Sequence, residues 1–175
     1  PTSLSPHPVN AIHVQPDGTL WVGTVEGGLN RRLSDGTFQH WTTANSGLSH
    51  NSVSVLQSDP NGNLWIGTWG GGISRLTMPR PSGNNPNIPA NIQHLDVPPH
   101  MEPLVSYIGA LAYDPQHDAL WIGSNDGIFL YNLKTRTLQD PINNNRLVRG
   151  CIGALICHDG QLWMGSLAGL CIIDL

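Results

Sequence analysis

A five-residue phrase occurs four times in this chain of 175 residues: Leu20-Trp21-Val22-Gly23-Thr24, Leu64-Trp65-Ile66-Gly67-Thr68, Leu120-Trp121-Ile122-Gly123-Ser124 and Leu162-Trp163-Met164-Gly165-Ser166. It accounts for four of the six tryptophans, and its copies are spaced by 44, 56 and 42 residues. A period of roughly 40–50 residues marks a β-propeller or a solenoid. Each repeat is then one unit that buries its apolar face only against its neighbours.

The flanking sequence resolves each repeat into strands. Before each phrase runs a segment with period-2 apolar character: Val9, Ala11, Ile12 and Val14, then Val53, Val55 and Leu56, then Ile108, Ala110 and Leu111, then Ile152, Ala154 and Leu155. Its residues are small, as an inner strand beside a narrow channel requires. Asp17-Gly18, Asn61-Gly62 and Asp159-Gly160 tolerate the positive φ of tight hairpins. The third copy has Pro115-Gln116-His117-Asp118 at this point. A second hairpin follows each phrase, at Gly27-Gly28, Gly70-Gly71-Gly72, Asp126-Gly127 and Ala168-Gly169. Third strands are predicted at 29–33, 73–76, 128–133 and 170–173, and outer fourth strands at 38–41, 92–97 and 138–142. The tryptophan supplies apolar surface between neighbouring sheets, and the following glycine permits their close approach. All four repeat tryptophans are expected in the core. The Thr or Ser after the glycine is expected to bond within its own blade.

The predicted fold is all-β: a β-propeller of four blade-like repeats of antiparallel four-stranded sheets. The chain reads as a single propeller segment over 1–175, with blades at approximately 5–44, 45–104, 105–147 and 148–175. A Pro/Asn/Ser/Gly-rich insertion covers 79–91. Solenoid repeats are usually shorter. The fourth repeat stops before its outer strand, and Pro1–Pro8, with three prolines, makes a poor substitute. This favours a fragment of a larger propeller over a closed four-bladed ring. An open fragment exposes two apolar sheet faces, so self-association is expected.

Composition narrows the function classes. Charged residues make up 11% of the chain and its net charge is −4, with no Lys/Arg cluster. No nucleic-acid surface is indicated. No apolar run approaches the roughly 20 residues of a membrane span, so no membrane contact by this segment is expected. The cysteines, Cys151, Cys157 and Cys171, all lie in the last repeat. Strand geometry puts both Cys157 and Cys171 beyond disulfide reach of Cys151, and all three read as small buried hydrophobes.

The segment Asp17-Gly18-Thr19-Leu20-Trp21-Val22-Gly23-Thr24, with Gly27-Gly28-Leu29 and Arg32-Leu33, resembles the two-component regulator propeller repeat. Asn61 to Leu76 carries it again, and Asn45 to Val53 resembles the family's inter-blade segment. The third and fourth repeats match more loosely. The resemblance implies the periplasmic sensor region of a hybrid two-component histidine kinase of the Bacteroidetes type. Such regions usually hold two large propellers and a β-sandwich, followed by a membrane helix and cytoplasmic kinase and regulator domains. They typically sense carbohydrate. Other propeller blades and domains of the parent receptor are then expected partners, with an oligosaccharide as ligand.

By propeller geometry the second-to-third-strand hairpins and the blade linkers share one face. It carries the candidate ligand-binding residues Trp69, Glu26, Asn125, Asp126 and His50. Trp69 has Val25 as its equivalent in the first repeat, so the repeat itself does not require an aromatic there. Flanked by glycines, its indole could stack on a sugar ring. The alternative is packing against a neighbouring blade. No catalytic residue, metal ligand or cofactor is assigned. The eight histidines show no zinc-site spacing, and the Gly-Gly pairs are turns without a following helix, so they form no phosphate loop. Glu26 and Asp126 could only form a glycosidase pair at a defined separation. Streptogramin lyases have similar Leu-Trp-rich blades, but their metal-dependent histidine and glutamate positions find no match here. The competing readings are a sensor module, a structural or protein-binding segment, and a lyase.

Overall fold

The computed structural model describes residues 3–78, 91–141 and 150–175. Blade one holds β1 (Val9–Val14), β2 (Leu20–Thr24), β3 (Gly28–Arg32) and β4 (Phe38–Trp41); blade two holds β5 (Val53–Ser58), β6 (Leu64–Thr68), β7 (Ile73–Thr77) and β8 (Asn91–His94). A short 3-10 turn, Pro103–Val105, leads into blade three, with β9 (Ile108–Asp114), β10 (Ala119–Ser124), β11 (Gly127–Asn132) and β12 (Thr137–Gln139). Blade four holds β13 (Ile152–His158), β14 (Gln161–Ser166) and β15 (Gly169–Asp174). Each blade is an antiparallel meander, four-stranded in the first three and three-stranded in the fourth. Residues 3–8 form no strand. Nearly all of the expected insertion, and Ile142, lie outside the described residues.

Local chemistry explains the hairpins. Asp17 accepts the Thr19 N–H at 2.8 Å, and Gly18 takes φ 85°. After each Leu-Trp phrase the hydroxyl closes the next hairpin, donating to the carbonyls of Gly28 (3.0 Å), Gly72 (2.9 Å), Gly127 (3.3 Å) and Gly169 (3.3 Å). The expected in-blade role of Thr24, Thr68, Ser124 and Ser166 is thus observed.

The blades pack in chain order, β1 on β5, β5 on β9 and β9 on β13, and no comparable packing joins β13 back to β1. Every interface uses the same parts. The leading face of one blade offers its tryptophan and glycine; the trailing face of the next offers a β-branched residue at the start of its inner strand. Trp21 and Ala11 pack with Val53, Leu56, Leu64 and Leu76, and Trp65 packs with Ile108, Leu120 and Tyr131. Trp121 packs with Ile152, Leu155 and Leu162. The glycine is a socket: a Cβ on Gly67 would lie 2.7 Å from Ile108 Cγ2, and one on Gly123 2.7 Å from Ile152 Cγ2.

Each of the three buried indoles of the repeated phrase also has a polar anchor. The Nε1–H of Trp21 donates to Gln15 (2.7 Å), that of Trp65 to Asp59 (3.0 Å) and that of Trp121 to Asp114 (3.4 Å). The Arg31 and Arg75 guanidinium groups each sit 5.7 Å from the Trp21 and Trp65 ring centres, a cation–π geometry. These stacks explain an arginine on the third strand of the first two repeats.

Two expectations need correction. Trp163 is not core: it is 38% exposed, against 0%, 1% and 7% for Trp21, Trp65 and Trp121. Its burial requires a following blade, and none covers it. The cysteines are unpaired, as read, but only partly buried. Cys171 and Cys157 flank the third blade interface without entering its dry centre.

Candidate functional site

The inner strands share an irregularity that shapes a pocket. Each carries a register shift after its first residue, at Val9/Ala11, Val53/Val55, opposite Gly123/Ser124 in blade three, and at Ile152/Ala154. Such a bulge re-aims one side chain per strand. The bulged residues are Asn10, Ser54, Gly109 and Gly153, and all four line one open pocket of ≈ 600 Å³. Asn10 donates to the Val53 carbonyl at 3.5 Å and Ser54 to the Ile108 carbonyl at 2.6 Å. At the next step the backbones close up, so a Cβ on Gly109 would sit 2.5 Å from the Ile152 carbonyl oxygen. The floor therefore has a polar side and a bare side.

The wall is aromatic. Trp69 and Tyr107 line the pocket beside Asn125 and Cys151, and are 44% and 52% exposed. They face each other as an isolated antiparallel bridge. The backbone beneath them is tied within and across blades. Trp69 N–H donates to the Ser52 carbonyl (2.9 Å), Gly70 and Gly72 N–H to the Ser106 carbonyl (2.9 and 3.1 Å), and Asn125 N–H to the Tyr107 carbonyl (3.2 Å). Gly70 and Gly72 adopt φ 110° and 70°, so this loop needs glycine. Two bonds within the blades and two across the seam between blades two and three brace a ledge carrying two exposed rings.

Of the five residues expected from sequence, Trp69 and Asn125 line this pocket and the other three do not. Glu26 is exposed on the β2–β3 hairpin at φ 62°, its N–H bonded to Ser52 Oγ. Asp126 is exposed on the β10–β11 hairpin, two blades away, its N–H bonded to Ser124 Oγ. His50 Nδ1 accepts the Ser52 N–H at 3.0 Å, with its ring beside Gly70 and its Cβ beside Gly71. It supports the ledge from below. Sequence reasoning missed Tyr107 and the bulged residues Asn10 and Ser54.

The opposite end of the blades has different chemistry. A smaller pocket of ≈ 230 Å³ is lined by Asp114, Gln116, Cys157 and His158 among others. Burial, with the Asp114 carboxylate nearby, pushes the Cys157 thiol up to about 11, so it stays protonated at neutral pH. Tyr113 is pushed up to about 12 by burial and by its hydrogen bond to Asp118. Neither group is prepared for nucleophilic or proton-transfer work. Among the described residues no group of three or more His, Cys, Asp or Glu could hold a metal ion. No helix among them is long and apolar enough to cross a membrane.

The sheet order and blade packing define a β-propeller. Within it, residues 3–26 and 47–70 match the family model for the two component regulator propeller. The extracellular domain of a hybrid two component system from B. thetaiotaomicron superposes with a TM-score of 0.67 at 23% identity, over 95% of this chain and 21% of that one. A second such domain from the same organism gives 0.69 and 24%, over 98% and 21%. Virginiamycin B lyase from Staphylococcus aureus gives 0.63 and 13%, over 100% and 58%. At these identities the likeness is one of fold. The chain spans about a fifth of the length of the two-component domains. No curated protein matches it in sequence.

Proposed function

We propose that this chain is a ligand-sensing propeller segment of a hybrid two-component receptor, periplasmic in location, with a carbohydrate bound at the channel mouth. The observation that carries the reading is the Trp69–Tyr107 ledge above the bulged residues. Two exposed rings on a cross-braced backbone offer flat apolar surface at little ordering cost. Asn10, Ser54 and Asn125 supply amide and hydroxyl groups of the kind that bond sugar hydroxyls. A cleft of this size with a few convergent polar groups suits a small ligand. Its amide, hydroxyl and aromatic lining serves binding better than turnover, which separates this reading from a lyase. The family match supplies the receptor context.

The test is a thermal-shift screen against neutral and acidic oligosaccharides, followed by calorimetric titration of hits. A ligand at one hundred times its dissociation constant stabilises the fold by about 2.7 kcal/mol. Trp69→Ala and Tyr107→Ala are each expected to weaken a hit at least about tenfold, as truncation of an aromatic anchor costs about 2 kcal/mol. Both side chains are half exposed, so the variants are expected to fold. Unchanged affinity in both would remove the ledge from the site.

A further inference from the structure

The seam between blades one and two lies inside the chain, and β1 with the turn after it reaches across through polar side chains. Asn10 donates to the Val53 carbonyl near the top of the seam, and Gln15 Nε2 donates to the Gly62 carbonyl (3.2 Å) at the bottom. Between them His13 Nε2 lies 2.9 Å from Ser58 Oγ. Of these side chains only His13 titrates near neutral pH. At the same register, opposite the repeated tryptophan, blades two and three carry Gln57 and Ala112. The His13 ring is half-buried, at the lower end of an apolar seam built from Trp21, Ala11, Val53 and Leu56. The strands that meet there, β1, β2, β5 and β6, contain no Asp, Glu, Lys or Arg. Asp59, just past β5, turns its carboxylate to Asn63 and Trp65. Asp17 bonds the Thr19 N–H in its own turn, and Arg31 stacks over Trp21. These strands thus offer an imidazolium at His13 a hydroxyl but no carboxylate.

We propose that this seam is an acid-sensitive joint: a proton on His13 places a half-buried charge between β1 and β5 and loosens blade one from blade two. The neutral ring shares its hydrogen bond with the Ser58 hydroxyl in either direction. The charged ring can only donate, and it carries a charge partly out of water with no opposite charge to offset it. Burial accordingly holds the His13 pKa below the ordinary histidine value. A depressed histidine contributes stability that is full above its unfolded pKa of about 6.5 and lost as pH falls through the lower folded value. The joint also bears on the pocket floor, because Asn10 sits on β1 and Ser54 on β5. This follows from the seam alone, whatever the pocket binds.

The test compares the wild type with His13→Gln. Blade two carries glutamine at this register, so the variant is expected to fold, and circular dichroism checks that it does. Proton NMR titration of the histidine Cε1–H signals, with His13 assigned by the variant, is expected to place its pKa below about 6.5. Urea midpoints are then read at about pH 7.5 and about pH 5, a span in which histidine changes charge. The wild type is expected to lose stability on acidification, and at least half of that loss to disappear in the variant. Amide hydrogen exchange, corrected for its intrinsic rate, is expected to quicken in β1 and β5 of the wild type at the lower pH and not in β10. Equal acid loss in both proteins overturns the proposal. So does exchange that quickens alike in every strand, or in none. A His13 pKa at or above about 6.5 also overturns it.

Discussion

Asp59→Ala removes a side chain that touches no ligand and yet is expected to be among the costlier polar substitutions. Asp59 is 3% exposed and accepts four hydrogen bonds: from the N–H groups of Asn61 (2.9 Å) and Asn63 (3.1 Å), from Asn63 Nδ2 (2.8 Å) and from Trp65 Nε1 (3.0 Å). The Trp65 ring is 1% exposed, so its N–H finds no water when the carboxylate is gone. Stranding that donor costs about 1–3 kcal/mol. The turn donors are nearer solvent and recover water bonds, so together they add about 1–2 kcal/mol. The sum, about 2–5 kcal/mol, is a large share of a stability that is typically about 5–15 kcal/mol. With a urea m-value of about 2 kcal/mol/M, the midpoint falls by about 1–2.5 M. Asp59→Asn keeps an oxygen acceptor of the kind that Gln15 offers Trp21, and is expected to lose less than half as much. Urea unfolding followed by far-ultraviolet circular dichroism gives both values. A midpoint shift under about 0.3 M for Asp59→Ala at unchanged slope would refute the anchoring role.

Two further perturbations test the packing and the charge. Gly67→Val is expected to destabilise by more than about 2 kcal/mol through overpacking, since even a Cβ there lies 2.5 Å from Val55 Cγ1 and 2.7 Å from Ile108 Cγ2; Gly165→Val is expected to cost far less, and thermal melts compare them. Burial tends to raise the Asp114 carboxyl, but bonds from His117, the Gln116 and His117 N–H groups and the Trp121 indole outweigh it and hold the pKa below the ordinary carboxylate value. A depressed carboxylate contributes stability that is full above its unfolded pKa of about 3.9 and lost as pH falls through the folded value. Urea midpoints from pH 7 to 3 should therefore fall steeply below about pH 4, and less steeply in Asp114→Asn. An identical acid limb in the variant contradicts the assignment.

The strands and hairpins were legible because the repeat writes them in side chains. Leu-Trp-x-Gly marks β2, β6, β10 and β14, and Asp-Gly or Asn-Gly marks the turns before three of them. What escaped depends on neighbours rather than on the phrase itself. Trp163 sits in the same phrase as Trp65 but is exposed, because the next blade supplies the burial. Tyr107 lies in the linker after the 3-10 turn, outside the periodic pattern, and joins the pocket wall through its bridge to Trp69. Asn10 and Ser54 reach the pocket through a bulge, a register change that alternation alone does not display. Trp69 was singled out for the opposite reason, as an aromatic where the repeat does not call for one, and it lines the pocket. Glu26 and Asp126 shared the right face, but exposure on a hairpin tip did not bring them to the pocket.

The central claim is that ligand binds on the Trp69–Tyr107 ledge. Fluorine NMR of protein labelled with 5-fluorotryptophan tests it most directly, since the chain has six tryptophans and Trp69→Phe assigns the one resonance that matters. A glycan that binds should shift the Trp69 signal while those of Trp21 and Trp65 stay in place. A binding glycan that leaves Trp69 unmoved, or no glycan that moves it, would contradict the account.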